Sequence, residues 1–116
     1  MKHYYWILDE NGNPLKVNDP LTWAAWYETA ERHIGNDFLP GGIQISTVFL
    51  GLDHSFSFLE ESPPVLWETM IFGGEEDGYQ ERYCTKEEAL EGHKIAVMLA
   101  QMSLSSKEVG GSNDNT

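Results

Sequence analysis

Apolar positions along this chain recur at every second residue in some stretches and at helical spacing in others. That change of period lays out the elements. His3 to Leu8 is aromatic and β-branched, the composition of a strand. Asp9 to Pro14 is dense in turn formers, and Asn11-Gly12 predicts a hairpin that returns through Leu15, Lys16 and Val17. Asp19-Pro20 predicts a helix start, because Asp19 can accept from the first free N–H groups and Pro20 lacks one. Trp23, Trp26, Tyr27 and Ala30 then share one helical face. The spacing predicts a helix to about Ile34, with Gly35 as its stop and a loop over 36–42. Such an aromatic stripe reads as packing; the other reading is an exposed patch for a partner.

Ile43 to Leu50 alternates, with apolar members on both faces near its end, and reads as a central strand. A long connection over 51–64 carries Phe56, Phe58, Glu60, Glu61 and Pro63-Pro64. Val65 to Phe72 is the next strand, 73–78 a hairpin loop, and Tyr79 to Cys84 the return strand. Thr85 and Glu88 form a capping box. The last helix runs from Lys86 to about Leu104, with Ala89, His93, Ala96 and Ala100 on a small-residue face suited to a sheet. The order is ββαβββα. It predicts an α+β fold: a single antiparallel sheet of four to five strands with two helices packed on it. Residues 1–104 make one domain, and 105–116, without apolar period, read as a disordered tail.

Charge changes the picture. Seven Lys and Arg against nineteen Asp and Glu give −12, and no Lys or Arg occurs from His33 to Glu81. A surface that binds nucleic acid directly needs the opposite sign. The acids Glu60, Glu61, Glu75, Glu76 and Asp77 form a candidate surface for a basic protein partner; the plainer reading is solubility. No stretch approaches the length of a membrane span, and the apolar run at the start is too short for a signal peptide. Cys84 is the one cysteine, so no internal disulfide forms. These features predict a soluble, cytoplasmic protein and are compatible with a homo-oligomer.

The candidate chemistry is sparse. Asp53-His54 follows a strand and, with Glu68, could supply an acid–base pair or metal ligands; the alternative is that Asp53 caps a turn. Glu68 sits in alternation with Leu66, Met70 and Phe72, and Arg82 is its expected cross-strand partner. His93 reads as a satisfied core histidine and Cys84 as a small buried residue. The glycine pairs at 41–42 and 73–74 lack the frame of a phosphate loop and read as turns. No residue is assigned a catalytic role, and neither a metal nor a cofactor is called for.

Three strings carry a resemblance: Tyr4 to Pro14, Ser46 to His54, and Trp67 to Gly74, with Glu81-Arg82-Tyr83, Glu88-Ala89 and Gly92-His93 beyond them. The chain resembles a family of small uncharacterised proteins encoded by tailed bacteriophages and prophages. Residues 57–61 and those after Leu104 stand apart from that pattern. The resemblance implies an origin and no activity. With the charge, it makes the leading expectation a small acidic phage accessory protein that acts in the host cell by binding a protein, for instance a host defence or nucleic-acid-handling enzyme. The alternatives are a nucleotide binder or metal-dependent hydrolase centred on Asp53, His54 and Glu68, and a virion or morphogenesis component.

Overall fold

The computed structural model describes residues 5–55 and 62–113, with side chains through Ser105. Strands β1 (Tyr5–Leu8) and β2 (Pro14–Val17) pair antiparallel as a separate two-stranded sheet. Their turn is held by Asp9, whose Oδ1 accepts from the backbone N–H groups of Asn11 and Asn13, each at 2.9 Å. The hairpin joins the body through Trp6, whose N–H donates to the Gly51 carbonyl at 2.9 Å.

Helix α1 (Pro20–Thr29) starts as the sequence predicts. Asp19 accepts from the Leu21 N–H at 3.0 Å and from the Thr22 hydroxyl at 2.8 Å. Those two bonds hold its carboxyl below the usual carboxylate range, the Thr22 bond most. The helix ends earlier than expected. Ala30 is already extended, at φ −75° and ψ 141°, and His33–Leu39 forms strand β3 where the end of the helix and a loop were predicted. Pairing with the next strand overrides the helical period here. The Arg32 carbonyl accepts from the Phe49 N–H at 2.8 Å, and the Arg32 guanidinium returns a bond to the Phe49 carbonyl at 3.0 Å.

The main sheet adds β4 (Ile43–Phe49), β5 (Trp67–Phe72) and β6 (Gln80–Tyr83) in the order β3-β4-β5-β6, all antiparallel. The fold is thus α+β, with four strands in the sheet and β4 inside it as predicted. Element order is ββαββββα, one strand more than expected. Helix α2 (Lys86–Asn113) packs along this sheet, while α1 packs on β1 and β2 and reaches the end of the sheet through Trp26. The start of α2 is the predicted one. Its capping box forms: the Glu88 N–H donates to the Thr85 hydroxyl at 3.0 Å, and the Thr85 N–H donates to the Glu88 carboxylate at 3.1 Å. The helix runs on to Asn113, past the Leu104 at which the tail was predicted to begin. A helix already nucleated adds one bond per residue fixed, so a stretch with no apolar period of its own can follow it.

The core lies between α2 and one face of the sheet, and it comes in two pieces. Ile43, Ile45, Ile71, Ala96 and Ala100 form one; Phe49, Leu66, Trp67 and Ala89 form the other. Trp26 lies against the second piece, its ring 5.8 Å from that of Phe49 and edge-on to it. Trp23 donates its indole N–H to the Gly51 carbonyl at 2.9 Å and sits 4.7 Å from the Tyr27 ring. The aromatic stripe of α1 is half-buried cover for the end of the sheet, and no α1 residue is fully buried.

Candidate functional site

Among the described residues, Asp53, His54 and Glu68 are not grouped as a metal site, and each bonds elsewhere. Asp53 accepts from the Ser55 N–H at 2.8 Å and the Val65 N–H at 2.9 Å, so one carboxylate oxygen clamps both flanks of the 56–61 segment. His54 lies 2.8 Å from the Leu52 carbonyl through Nδ1, which therefore carries the proton. Segment 56–61, with Phe56, Phe58, Glu60 and Glu61, lies outside the described residues. Among the described residues no three His, Cys, Asp or Glu side chains are grouped as a metal site.

Glu68 pairs with Arg82 as predicted, at 2.9 Å from Nε, and also accepts from the Gln80 amide. Its setting differs from the expected one. Trp67, Thr69 and Ile71 point into the core, so Glu68, Met70 and Phe72 lie on the opposite face of the sheet. Leu66 leaves the alternation: it precedes the strand and is buried with Trp67. The Glu68 side chain is only 12% exposed and Arg82 35%, so the pair is screened on one side alone. Glu68→Ala is expected to lower stability by about 1 kcal/mol, between an exposed and a buried pair. A urea melt measures it, and Glu68→Gln should recover part through Gln80.

Cys84 is half-buried at the end of β6. Burial pushes its thiol pKa up, and the carboxylates of Glu88 and Asp53 push it the same way. A thiol held protonated is a poor nucleophile.

The polar cluster that does assemble involves four residues far apart in sequence. Thr47 and Thr69 face each other across β4 and β5, with their hydroxyls 2.5 Å apart and both side chains fully buried. His93 reaches down from α2 and places Nδ1 2.7 Å from the Thr47 hydroxyl. Its Nε2 lies 2.6 Å from the Asp37 carboxylate on β3. The imidazole lies flat over Gly35, where a Cβ would stand 2.7 Å from its atoms. An Asp–His–hydroxyl order is also that of nucleophilic sites. Here the hydroxyl is fully buried and already bonded on both sides, so what the arrangement does is join α2 to three strands.

With a neutral imidazole, His93 Nε2–H donates to Asp37, Thr47 donates to Nδ1 and Thr69 donates to Thr47; with an imidazolium, Nδ1–H donates to Thr47, Thr47 donates to Thr69, and the Thr69 proton is left for Tyr83. Tyr83 lies beyond, its hydroxyl buried against Gly92. Burial raises its pKa, and the Thr69 hydroxyl offsets a part. The satisfied histidine was legible in the sequence; Asp37, Thr47 and Thr69 as its partners were not.

The other face of the sheet has no described element over it. The register sets three rows there: His33–Val48–Glu68–Arg82, Asn36–Ser46–Met70–Gln80, and Phe38–Gln44–Phe72. Phe38 is 70% and Phe72 44% exposed, and they flank Gln44 in one row. Next to Phe72, the β5–β6 loop carries Glu75, Glu76 and Asp77. Asp77 accepts from the Gly73 N–H at 2.7 Å, and Glu76 accepts from the Ser103 hydroxyl of α2 at 3.4 Å.

No family model, curated protein or solved structure matches the chain. No helix of the described residues is long and apolar enough to cross a membrane.

Proposed function

We propose that this chain is a phage accessory protein that works by binding another protein through the uncovered face of its four-stranded sheet. The observation that carries this reading is the row Phe38–Gln44–Phe72: two exposed aromatic rings in register beside Met70, with Asn36, Gln80 and the Glu68–Arg82 pair around them on the same face. Apolar anchors inside a polar, charged rim are the anatomy of a protein-binding surface. The net charge of −12, with no Lys or Arg from His33 to Glu81, favours a basic partner for the molecule as a whole, such as the nucleic-acid channel of a host enzyme. The host cytoplasm follows from the same reading, and the resemblance to tailed-phage proteins supports it.

Capture of a partner from host lysate on the immobilised chain tests this. The bound protein is expected to weaken as salt rises, because screening removes steering between opposite charges. Phe38→Ala with Phe72→Ala is expected to abolish capture while the melting temperature stays within a few degrees, since both rings already face solvent. Capture indifferent to salt and to both substitutions overturns the proposal.

A further inference from the structure

Helix α2 carries a second apolar stripe that the sheet does not use. Ala89, His93, Ala96 and Ala100 face the sheet. Ile95, Met98 and Met102 point away from it and are 52%, 59% and 63% exposed. With Leu99 they fall at i, i+3, i+4 and i+7, a continuous line along one side of the helix. Nothing in the sheet or in α1 requires apolar residues there.

The shape of this stripe is specific. Ile95, Met98, Leu99 and Met102 line a shallow, open hollow of about 160 Å³. One step along the helix, Met98, Gln101, Met102 and Ser105 bound a second hollow. Four side chains at i, i+3, i+4 and i+7 are what receives a knob in helix-to-helix packing, and two such holes in succession make a seam. The occupant is therefore a helix that offers apolar side chains at the same spacing.

Charge selects which helix. From Gly92 through Lys107 there is no acid, in a chain of net charge −12. Glu76 reaches the inner flank of this stretch at Ser103, but along the outer stripe a second copy, itself strongly acidic, meets no acid of the helix. Phe72, by contrast, lies near Glu75, and Phe38 is adjacent to Asp37. Charge also selects the direction. A parallel pair would set Glu87 and Glu91 beside their own equivalents. An antiparallel pair sets Glu91 against the acid-free stretch of the partner helix, at the register of about residue 106, and opposes the two helix dipoles.

We propose that two copies of this chain associate through α2, antiparallel about a two-fold axis near Met98 and Leu99, with each Met98 seated in the other's Ile95–Met98–Leu99–Met102 hole. The contact is isologous: the same patch serves both sides. It uses the face of the molecule opposite the uncovered sheet, so it stands or falls independently of the partner-binding proposal.

Sedimentation of the full chain from about 10 to 300 µM covers the range expected for an interface below standard size. Mass is expected to rise toward the dimer with concentration, and at lower concentration when salt is added, because salt screens the repulsion between two acidic chains. Met98→Asp and, separately, Met102→Lys are expected to abolish the dimer with unchanged circular dichroism, as both positions face solvent in the single chain. In a Cys84→Ser background, Met98→Cys is expected to cross-link to itself on mild oxidation. Ile95→Cys should cross-link to Met102→Cys but not to itself. A monomer throughout the range, a dimer untouched by Met98→Asp, or self-cross-linking at all three positions overturns the proposal.

Discussion

Replacing Gly92 by Ala is expected to destabilise the protein by about 1 to 2 kcal/mol, although Gly→Ala inside a helix is ordinarily worth about 1 kcal/mol in the other direction. Gly92 lies in the helical part of α2 and is buried. A Cβ there would fall on the Tyr83 hydroxyl and on two ring carbons. To admit the methyl group, α2 must lift from β6 or the tyrosine must leave its position, and either opens a close-packed contact. The sign of the change, measured by thermal and urea unfolding, separates this account from helix propensity. The cause is tested in a double-mutant cycle with Tyr83→Ala. Once the ring is gone, Gly92→Ala should return to its ordinary stabilising effect. Tyr83→Phe should relieve little, because the ring carbons remain.

The second large effect concerns His93. His93→Phe keeps a flat ring over Gly35 but removes both nitrogens from Asp37 and Thr47. The expected loss is about 2 to 3 kcal/mol, because a buried hydroxyl pair then lacks its partner. Thr47→Val alone should cost a similar amount, since it leaves Nδ1 unpaired in the core. The triple substitution Thr47→Val, Thr69→Val and His93→Phe is expected to recover most of either loss. It turns the polar layer into an apolar one that merges with the clusters on either side, and half-satisfied networks are worse than none. Denaturant midpoints of the single and triple variants measure this. A triple variant at least as unstable as the singles added together would show that the layer contributes through shape instead of hydrogen bonding.

Local chemistry made parts of this fold legible. Asp19-Pro20, the Asn11-Gly12 turn and the Thr85–Glu88 box each act within a few residues, so the chain announces them. The Glu68–Arg82 pair was legible because a hairpin fixes which residues face each other. Strand β3 was hidden. His33 to Leu39 includes Gly35, Asn36 and Asp37, all poor strand formers, and its conformation is set by β4 and by the imidazole above Gly35. Ile34 also continues the helical spacing of Trp23 to Ala30, which drew the expected helix too far. The sheet faces were misjudged at Glu68 because Leu66 breaks step with the strand it precedes. The polar layer left one trace. Thr47, Thr69 and His93 each interrupt an otherwise apolar stripe, but only the register shows that the three interruptions meet.

That meeting has a consequence for how α2 finds its place. Apart from Gly92 under Tyr83, its inner surface is repetitive, with alanines at 89, 96 and 100 lying on apolar side chains. Oil on oil has no ruler. Moved by one turn of about 5.4 Å, the helix would set an alanine over two hydroxyls and strand the imidazole among isoleucines. His93 thus acts as an indexing pin: it admits one stop along the groove and rejects those on either side.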